Sequence, residues 1–532
     1  MSTRRTASSS APSRPGHNIL SGVITQSKPS TLVTNGVWSV LLTIWQTSVL
    51  ILLTPFIIAR IGPDHYGLFV LLMAISGFMG IMNLGLGDAT LRFVAHYYGK
   101  NDLAGINRIV GATFSIFILA GFVVWATLFF GAGLIASLIA IPPQELNFAT
   151  QLVQLTSFSV GIGLVGAAFS SIPQALQRYD INTRVNLVVS LFQVCGTVLV
   201  LLFAKGLYEL VLLGVATTFF SQAISIFVAR ALVPNLRISP SPTRRGLKEV
   251  FGYGFFTFLT HILGTIWSQA DRLLLGSLVG PAAVAHLSVP AQLSLRGSMA
   301  VGSIGAPLFP RFGVMQDKDK MADLFLDATW LLLIATILIF VPLTALFPDF
   351  LRLWIDPQFA EHSAFVAQII AFSCIVRGAF VPYDALFRGI GKPHLLTLVF
   401  LATGATSLIT NLLLIPRFGL SGAGYAYLLT TFWGFAAIAF AWRHVLGKKS
   451  FMPLIRAVLI PVALGYLALF IITLLRAKLG PVSWSGLIGL GLSALVVTSA
   501  FVFTPELGVR GGHSRLIILR RFIPRFLQSR AV

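Results

Sequence analysis

The sequence predicts an all-α polytopic membrane protein with about 14 transmembrane helices. The chain of 532 residues contains about fourteen apolar stretches, each near the roughly 20 residues that a helix needs to cross a hydrocarbon core. Hydrophobic residues make up 56% of the chain and charged residues only 10%, which excludes a sizeable soluble domain. The loops between the stretches are alternately rich and poor in Lys and Arg, as expected for loops that face opposite sides of a membrane.

We number the predicted spans 1 to 14 in chain order. They cover residues 32–59, 67–86, 109–130, 150–173, 185–204, 207–229, 252–275, 284–308, 326–350, 363–387, 394–414, 420–442, 457–475 and 484–503. Of the 38 Lys and Arg residues, 29 fall on the side that holds both termini, 6 fall on the other side and 3 lie within spans. Basic residues collect in cytoplasmic loops, so we expect both termini in the cytoplasm of a bacterium and the spans in its inner membrane. The net charge of +21 then reflects this orientation and not nucleic-acid binding.

The segments outside the spans set the predicted domain boundaries. Residues 1–31 lack the apolar core and cleavage site of a signal peptide and are typical of a disordered cytoplasmic tail. The other predicted segments are an N-terminal six-helix lobe at 32–229, a basic cytoplasmic linker at 230–251, a C-terminal six-helix lobe at 252–442, two additional transmembrane helices at 443–503 and a basic cytoplasmic tail at 504–532. We refer to the two six-helix units as the first and second lobes.

The two lobes repeat each other weakly. Ile61-Gly62-Pro63 after span 1 corresponds to Val279-Gly280-Pro281 after span 7, at an offset of 218 residues. Thr218-Phe219 in span 6 corresponds to Thr431-Phe432 in span 12, at an offset of 213. Two sets of six spans in the same orientation predict a pseudo-two-fold axis along the membrane normal, with a substrate path between the lobes.

Three arginines lie inside predicted spans, where a charged side chain costs roughly 2.5–3.5 kcal/mol at the helix centre on insertion scales. Arg296 and Arg377 fall near the middle of spans 8 and 10, and Arg272 lies nearer the outer end of span 7. Polar residues at helical spacing accompany them and give four spans a polar face: Asn35 and Gln46 in span 1, His261 and Arg272 in span 7, Gln292 and Arg296 in span 8, and Ser373, Arg377 and Asp384 in span 10. These faces either line a common interior or join helices through hydrogen bonds.

Acidic residues are scarce inside the predicted spans. Asp271 is a candidate counter-ion for Arg272 or a site for a proton or a cation. Asp88 stands four residues before Arg92, so the two side chains can pair along one helix face. His261 either titrates near neutral pH or is a hydrogen-bonded core histidine.

Several segments along the chain resemble one known family. These segments are 55–67 (PFIIARIGPDHYG), 83–89 (NLGLGDA), 91–95 (LRFVA), 268–276 (SQADRLLLG), 308–310 (LFP), 389–393 (GIGKP) and 416–424 (PRFGLSGAG). Their order and spacing resemble the polysaccharide biosynthesis or O-antigen flippase family of the multidrug, oligosaccharidyl-lipid and polysaccharide exporter superfamily. The similarity extends over nearly the whole chain past residue 30.

This resemblance implies two six-helix lobes that form a V and open alternately to either side of the membrane. It also implies a lipid-linked oligosaccharide substrate, namely undecaprenyl-diphosphate-linked sugar repeats destined for O-antigen, capsule or exopolysaccharide. A diphosphate suits the bidentate fork of arginine, and sugar hydroxyls suit polar stripes. We therefore predict a substrate-binding set of Arg296, Arg377, Arg272, His261, Gln292, Gln46 and Asn35. We predict ion coupling at Asp271 and Asp88, and partners among the bilayer lipids, glycosyltransferases and a polysaccharide polymerase.

Other functions remain as alternatives at this stage. A peptidoglycan precursor flippase also has fourteen spans and a cationic cavity, whereas a drug or cation antiporter of the superfamily favours acidic cavity residues. A membrane glycosyltransferase is the alternative outside transport, although no enzyme signature accompanies the spans. The Gly-rich segment 419–424 lacks a Walker lysine, and Cys195 and Cys374 are too few for a multi-cysteine metal site. We therefore expect no catalysis, no cofactor and no metal.

Overall fold

The computed structural model describes residues 29–77, 86–203, 206–247, 249–250, 269–480 and 482–508. Within these ranges the chain forms helices and no strands. Ten of the described helical segments are long and apolar enough to cross a membrane, and each of the fourteen predicted spans contains a described helix. The prediction of an all-α polytopic membrane protein is therefore confirmed.

The first lobe contains spans 1 to 6. Its helices are Pro29–Gly77, which holds span 1 and residues 67–77 of span 2, Leu86–Gly99, which begins at the last residue of span 2, Leu103–Phe130 (span 3), Leu146–Ser170 and Ile172–Ala175 (span 4), Tyr179–Phe203 (span 5) and Leu207–Leu232 (span 6). A short helix, Ala132–Ser137, and a 3-10 turn, Pro143–Glu145, connect spans 3 and 4.

The second lobe contains spans 7 to 12 and is followed by spans 13 and 14. Its helices are residues 269–278 (span 7), Pro281–Gly305 and Leu308–Val314 (span 8), Lys318–Trp354 (span 9), Pro357–Ile375 and Val381–Gly389 (span 10), Pro393–Phe418 (span 11) and Leu420–Phe440 (span 12). The two further spans are Met452–Ala477 and Trp484–Gly508. Span 10 is interrupted by a 3-10 turn, Arg377–Phe380.

A glycine ends the first span of each lobe: Gly62 interrupts the helix Pro29–Gly77 after span 1, and Gly280 follows span 7. Gly62 has φ +79° and Gly280 has φ +127°, a backbone conformation that residues with a side chain rarely adopt. Each glycine is followed by a proline, Pro63 or Pro281, whose fixed φ suits the first turn of the next helix. The offset of 218 residues therefore marks equivalent backbone positions in the two lobes.

Helix packing repeats in the same order. In the first lobe span 4 packs on spans 3 and 6, and span 5 packs on span 6. In the second lobe span 10 packs on spans 9 and 12, and span 11 packs on span 12. The predicted pair of pseudo-symmetric six-helix lobes is confirmed by this correspondence.

Spans 13 and 14 pack on the second lobe. Both contact span 9 and each other. The rings of Phe372 and Tyr466 stack with their centroids 4.7 Å apart, which joins span 13 to span 10. Arg476, at the end of span 13, forms a bidentate ion pair with Asp349 of span 9. These contacts attach the two extra helices to the second lobe.

The lobes meet where spans 1 and 2 pack against span 8. A Cβ atom placed on Gly67 would lie 1.7 Å from the carbonyl oxygen of Pro281, so only glycine permits the helices to approach this closely. Gly276 packs in the same way against Leu71. Its carbonyl oxygen also accepts a hydrogen bond of 3.0 Å from the backbone of Ala140. We call this region the closed end of the molecule.

One further contact between the lobes depends on a proline inside span 1. Pro55 has no backbone N–H, so the carbonyl of Ile51, four residues earlier, lacks its usual partner in the helix. The indole Nε1 of Trp354, at the end of span 9, donates to this oxygen over 2.7 Å. The break in the helical ladder thus supplies the acceptor for a bond between lobes.

The segment between the lobes packs on the first lobe. The backbone N–H of Ser241 donates to the carbonyl of Gly111 over 3.1 Å, and that of Arg237 donates to Asn107 Oδ1 over 2.9 Å. These bonds fix the described part of the predicted linker against span 3.

Candidate functional site

The helices of the second lobe enclose a cavity of about 340 Å³. We call it the second-lobe cavity. Its polar lining comes from spans 7 to 12 and consists of Asp271, Arg272, Ser294, Ser298, Thr336, Arg377, Ser407, Tyr427 and Thr430. Asp271, Arg272 and Arg377, which the sequence singled out, therefore line the same cavity inside the membrane region of the molecule.

Asp271 is held by two hydrogen bonds. Its carboxylate accepts from Tyr427 Oη over 2.9 Å and from the backbone N–H of Arg272 over 2.8 Å. The residue is 6% exposed. The guanidinium of Arg272 donates instead to Gln269 Oε1 over 2.7 Å, and its Nε is buried without a partner among the described residues. The Asp271 carboxylate therefore lines the cavity without forming a direct ion pair with the Arg272 guanidinium.

Arg377 lies where span 10 is broken. Gly378 lets the turn approach span 9, since a Cβ there would lie 2.3 Å from the carbonyl oxygen of Leu332. Thr336 Oγ1 lies 2.9 Å from the carbonyl oxygen of Ile375 at the break, and its single proton is shared between this oxygen and the carbonyls of its own helix. Pro382 then starts the next helix. The broken helix places the Arg377 side chain, half-buried, at the cavity wall.

The described part of the chain contains no hydrogen bond or ion pair for the Arg377 side chain. The acid on the same span, Asp384, pairs with Arg388 over 2.9 Å. A half-buried guanidinium in a membrane region without a carboxylate partner is available for an anion.

Arg296 occupies a different place. Its Nη1 donates to Gln46 Oε1 of span 1 over 3.4 Å, so it lies between the lobes. Ser294, Leu295 and Ser298 line the second-lobe cavity from the other face of span 8. The structure therefore brings Arg272 and Arg377 to one cavity and places Arg296 with Gln46 at the contact between the lobes.

The remaining predicted residues are placed as follows. Gln292 is half-buried on span 8 and does not line the second-lobe cavity. The side chains of Asn35, Asp88 and His261 lie outside the described part of the structure. Their roles stay predictions.

Sequence analysis missed Tyr427 and Ser294. Tyr427 is one of several aromatic residues in span 12, and only the fold shows that its hydroxyl reaches Asp271. Ser294 is 1% exposed and its hydroxyl has no partner among the described residues. Ser294 stands two residues before Arg296, which was the available signal for it, whereas nothing in span 12 singled out Tyr427.

The first lobe contains a cavity of about 540 Å³ between spans 2, 4, 5 and 6. We call it the first-lobe cavity. Its polar lining consists of Ser76, Thr156, Ser159, Gln193, Thr217 and Thr218. None of the described residues that line it carries a charge. The second-lobe cavity is thus charged, and the first-lobe cavity is not.

A third cavity, of about 800 Å³, lies between the lobes at the closed end. His286 and His362 line it, with their rings stacked 5.3 Å apart. His286 Nδ1 lies 2.7 Å from the hydroxyl oxygen of Ser363. Asp64 and Glu145 also line it, so this cavity presents acids and histidines instead of arginines.

Comparison with known proteins places this architecture among transport proteins. The family model described as polysaccharide biosynthesis protein matches residues 32–316. A putative O-antigen transporter from Shigella flexneri is 21% identical over 405 residues, which cover 74% of this chain and 94% of the relative. An uncharacterized membrane protein from Methanocaldococcus jannaschii is 22% identical over 377 residues, which cover 66% of this chain and 71% of the relative.

Solved structures share the fold at low identity. The lipid II flippase MurJ in an inward closed conformation superposes with a TM-score of 0.72 at 13% identity, over 89% of this chain and all of that one. An inward-facing multidrug resistance transporter of the MATE family superposes with a TM-score of 0.57 at 15% identity, over 77% of this chain and 96% of that one. These likenesses agree with the two-lobe architecture described above.

Proposed function

The chain belongs to the polysaccharide biosynthesis protein family, and from this premise we propose that it is a flippase for undecaprenyl-diphosphate-linked oligosaccharide repeats. The protein is a multi-pass membrane protein whose named relatives are transporters and flippases. In our proposal it moves the repeat from the cytoplasmic leaflet to the outer leaflet by alternating access. The product then enters O-antigen, capsule or exopolysaccharide assembly.

The presence of two arginines, Arg272 and Arg377, in the lining of one cavity is the observation that supports this proposal. Both line the second-lobe cavity, and Arg377 has no partner in the described part of the chain. Retaining such a charge inside a membrane costs roughly 2.5–3.5 kcal/mol on insertion scales, and an anionic ligand offsets that cost when it binds. Arginine binds phosphate oxygens through two parallel N–H donors, so a diphosphate suits this pair.

Movement of the lobes is the second part of the proposal. The closed end is sealed by backbone contacts at Gly67 and Gly276 and by the bond from Trp354 to Ile51. Rocking of the lobes about spans 1, 2, 7 and 8 breaks these contacts and opens that end. Arg296 and Gln46 lie on the surfaces that separate, where they meet the substrate as it crosses.

Energy coupling is assigned to Asp271. Its carboxylate is buried, faces the second-lobe cavity and is bonded to a tyrosine hydroxyl instead of to an arginine side chain. Such a carboxylate can take up a proton or a sodium ion without first breaking an ion pair. Asp88 is the second coupling candidate, on the sequence alone.

Location and partners follow from the same proposal. The asymmetry of Lys and Arg supports an inner membrane with both termini in the cytoplasm. Glycosyltransferases supply the lipid-linked repeat on the inner leaflet, and a polysaccharide polymerase uses it on the outer leaflet. The chain itself performs no catalysis in this scheme.

A deletion strain tests the proposed function. It should accumulate lipid-linked oligosaccharide on the inner leaflet, and the wild-type gene should restore export of polysaccharide. The Arg296→Ala, Arg377→Ala double variant should insert normally and restore no export, while Arg377→Lys should restore part of it because lysine keeps the charge without the bidentate fork. Normal export by the double variant would show that these arginines are structural.

A peptidoglycan precursor flippase is the second candidate, favoured by the fold shared with MurJ. Depletion of the cell's own lipid II flippase separates the two functions. Growth that is restored by this chain would favour the second candidate, and continued lysis with normal polysaccharide export supports the first.

A further inference from the structure

Two of the hydroxyls that line the first-lobe cavity lack the hydrogen bond that is usual for a hydroxyl in a helix. Ser and Thr in a helix usually donate to a carbonyl one turn earlier. Thr218 does so, since its Oγ1 donates to the carbonyl of Gly214 over 2.9 Å. Thr156 and Thr217 are 2% and 9% exposed, and their hydroxyls have no partner among the described residues. Both line the cavity.

A buried hydroxyl without a partner is destabilising, so a ligand that supplies the missing bonds is favoured. A hydroxyl both donates and accepts, which matches the hydroxyl groups of a neutral sugar. Gln193 adds an amide, and Phe69 adds an aromatic ring to the lining. No charged residue of the described chain lines the cavity, so it offers nothing specific to a phosphate.

The linings of the two cavities are linked by a contact between the lobes. Ser76 lines the first-lobe cavity, and the next residue, Gly77, packs against Gln269 of span 7. A Cβ atom on Gly77 would lie 2.8 Å from Gln269 Nε2. Gln269 Oε1 in turn accepts the bond from Arg272, which lines the second-lobe cavity. A chain of contacts from Ser76 through Gly77 and Gln269 to Arg272 therefore runs from the lining of one cavity to the lining of the other.

We propose that the lobes divide the substrate between them: the first-lobe cavity binds an uncharged, polyhydroxylated sugar, and the second-lobe cavity binds the diphosphate. This inference rests on the proposed function and adds an orientation to it. Thr156 and Thr217 recognise the sugar, whereas Arg272 and Arg377 recognise a group that every lipid-linked repeat shares. Sugar selectivity and diphosphate affinity therefore reside in different lobes.

Binding to the purified full-length protein tests this division. The probes are farnesyl diphosphate and its derivative with one galactose on the terminal phosphate. The Thr156→Val, Thr217→Val double variant keeps the side-chain shape and loses both hydroxyls, so it should bind the galactose probe about tenfold more weakly. Its affinity for farnesyl diphosphate should equal that of the wild type.

Two matched variants control for packing. Thr156→Ser with Thr217→Ser keeps the hydroxyls and should keep the affinity for the galactose probe. Thr197→Val alters a threonine of similar burial, 4% exposed, whose hydroxyl already donates to the carbonyl of Gln193 over 2.7 Å, and it should bind both probes as the wild type does.

The outcomes separate the inference from the proposed function. Unchanged binding of the galactose probe by the valine variant, or equal weakening of both probes, would overturn the division between lobes and leave the flippase proposal intact. A wild-type protein that binds neither probe would contradict the flippase proposal, and the inference with it.

Discussion

The first-lobe and second-lobe cavities lie among equivalent helices, yet only one of them is charged. At the offset of 213 residues, Thr217 corresponds to Thr430, and each lines the cavity of its own lobe. At the same offset Gly214 corresponds to Tyr427, so the first lobe has no side chain where the second lobe has the hydroxyl that bonds Asp271. Both cavities therefore have a threonine hydroxyl at this position, but only the second-lobe cavity has a tyrosine that bonds an aspartate.

The first helix of each lobe shows the same difference. At the offset of 218 residues, Leu53 corresponds to Asp271 and Thr54 corresponds to Arg272. Thr54 is 3% exposed and carries no charge, whereas its counterpart Arg272 is half-buried and charged. A repeated scaffold can therefore keep its backbone geometry and its helix contacts while one copy takes the electrostatic role. The predictions below either break this asymmetry or measure it.

The largest effect is expected where the two lobes meet. Gly67→Ala should abolish transport, because its methyl group would lie 1.7 Å from the carbonyl oxygen of Pro281 and the closed end would not form. Transport of a fluorescent lipid-linked sugar in proteoliposomes measures this. Gly302→Ala, on span 8 with nothing within 4 Å, should transport normally. Normal transport by Gly67→Ala would show that this contact is not part of the cycle.

A smaller effect is expected from the acid that only the second lobe holds. Asp271→Asn should remove the dependence of transport on an imposed proton or sodium gradient, since the neutral amide takes up no proton and lacks the negative charge that attracts a sodium ion. The equivalent first-lobe change, Leu53→Asn, should leave that dependence in place. Transport rates in vesicles with each gradient applied separately give the comparison. If Asp271→Asn retained the dependence of the wild type, the coupling assignment would be wrong.

The smallest effect is expected from the hydroxyl that supports this acid. Tyr427→Phe removes the 2.9 Å bond to Asp271 and should lower the free energy of unfolding by about 1–2 kcal/mol, with transport reduced but present. Thermal unfolding in detergent measures the change. Tyr425→Phe alters a residue on the same span that packs by ring contacts on Phe365 and Phe418, and it should have little effect. Equal destabilisation by both variants would contradict the claim that the bond from Tyr427 to Asp271 stabilises the protein.

The sequence carried the architecture because hydrophobic length and glycine-proline pairs are local signals. Gly62-Pro63 and Gly280-Pro281 marked the repeat, and the structure gives both glycines a positive φ. The sequence also identified Asp271, Arg272 and Arg377, since a charge inside an apolar span is conspicuous in any sequence.

The sequence did not specify which neighbouring helix each polar helix face packs against. Helical spacing put Arg296 and Arg377 on polar faces, but the packing directs Arg296 toward Gln46 of the other lobe. Arg377 and Asp384 were predicted on one face because span 10 was treated as a continuous helix. The 3-10 turn at Arg377–Phe380 interrupts that helix between them. Thr156 and Thr217 escaped notice because the partner of a threonine hydroxyl depends on its rotamer, which the sequence does not specify.

The central claim is that the charge of the second-lobe cavity binds the diphosphate, and binding of farnesyl diphosphate tests it most directly. The wild type should be stabilised against thermal unfolding by this ligand, and Arg377→Ala should lose most of that stabilisation. Arg388→Ala removes an arginine of the same span that already pairs with Asp384, and it should respond as the wild type does. Equal stabilisation of all three proteins by farnesyl diphosphate would contradict the account.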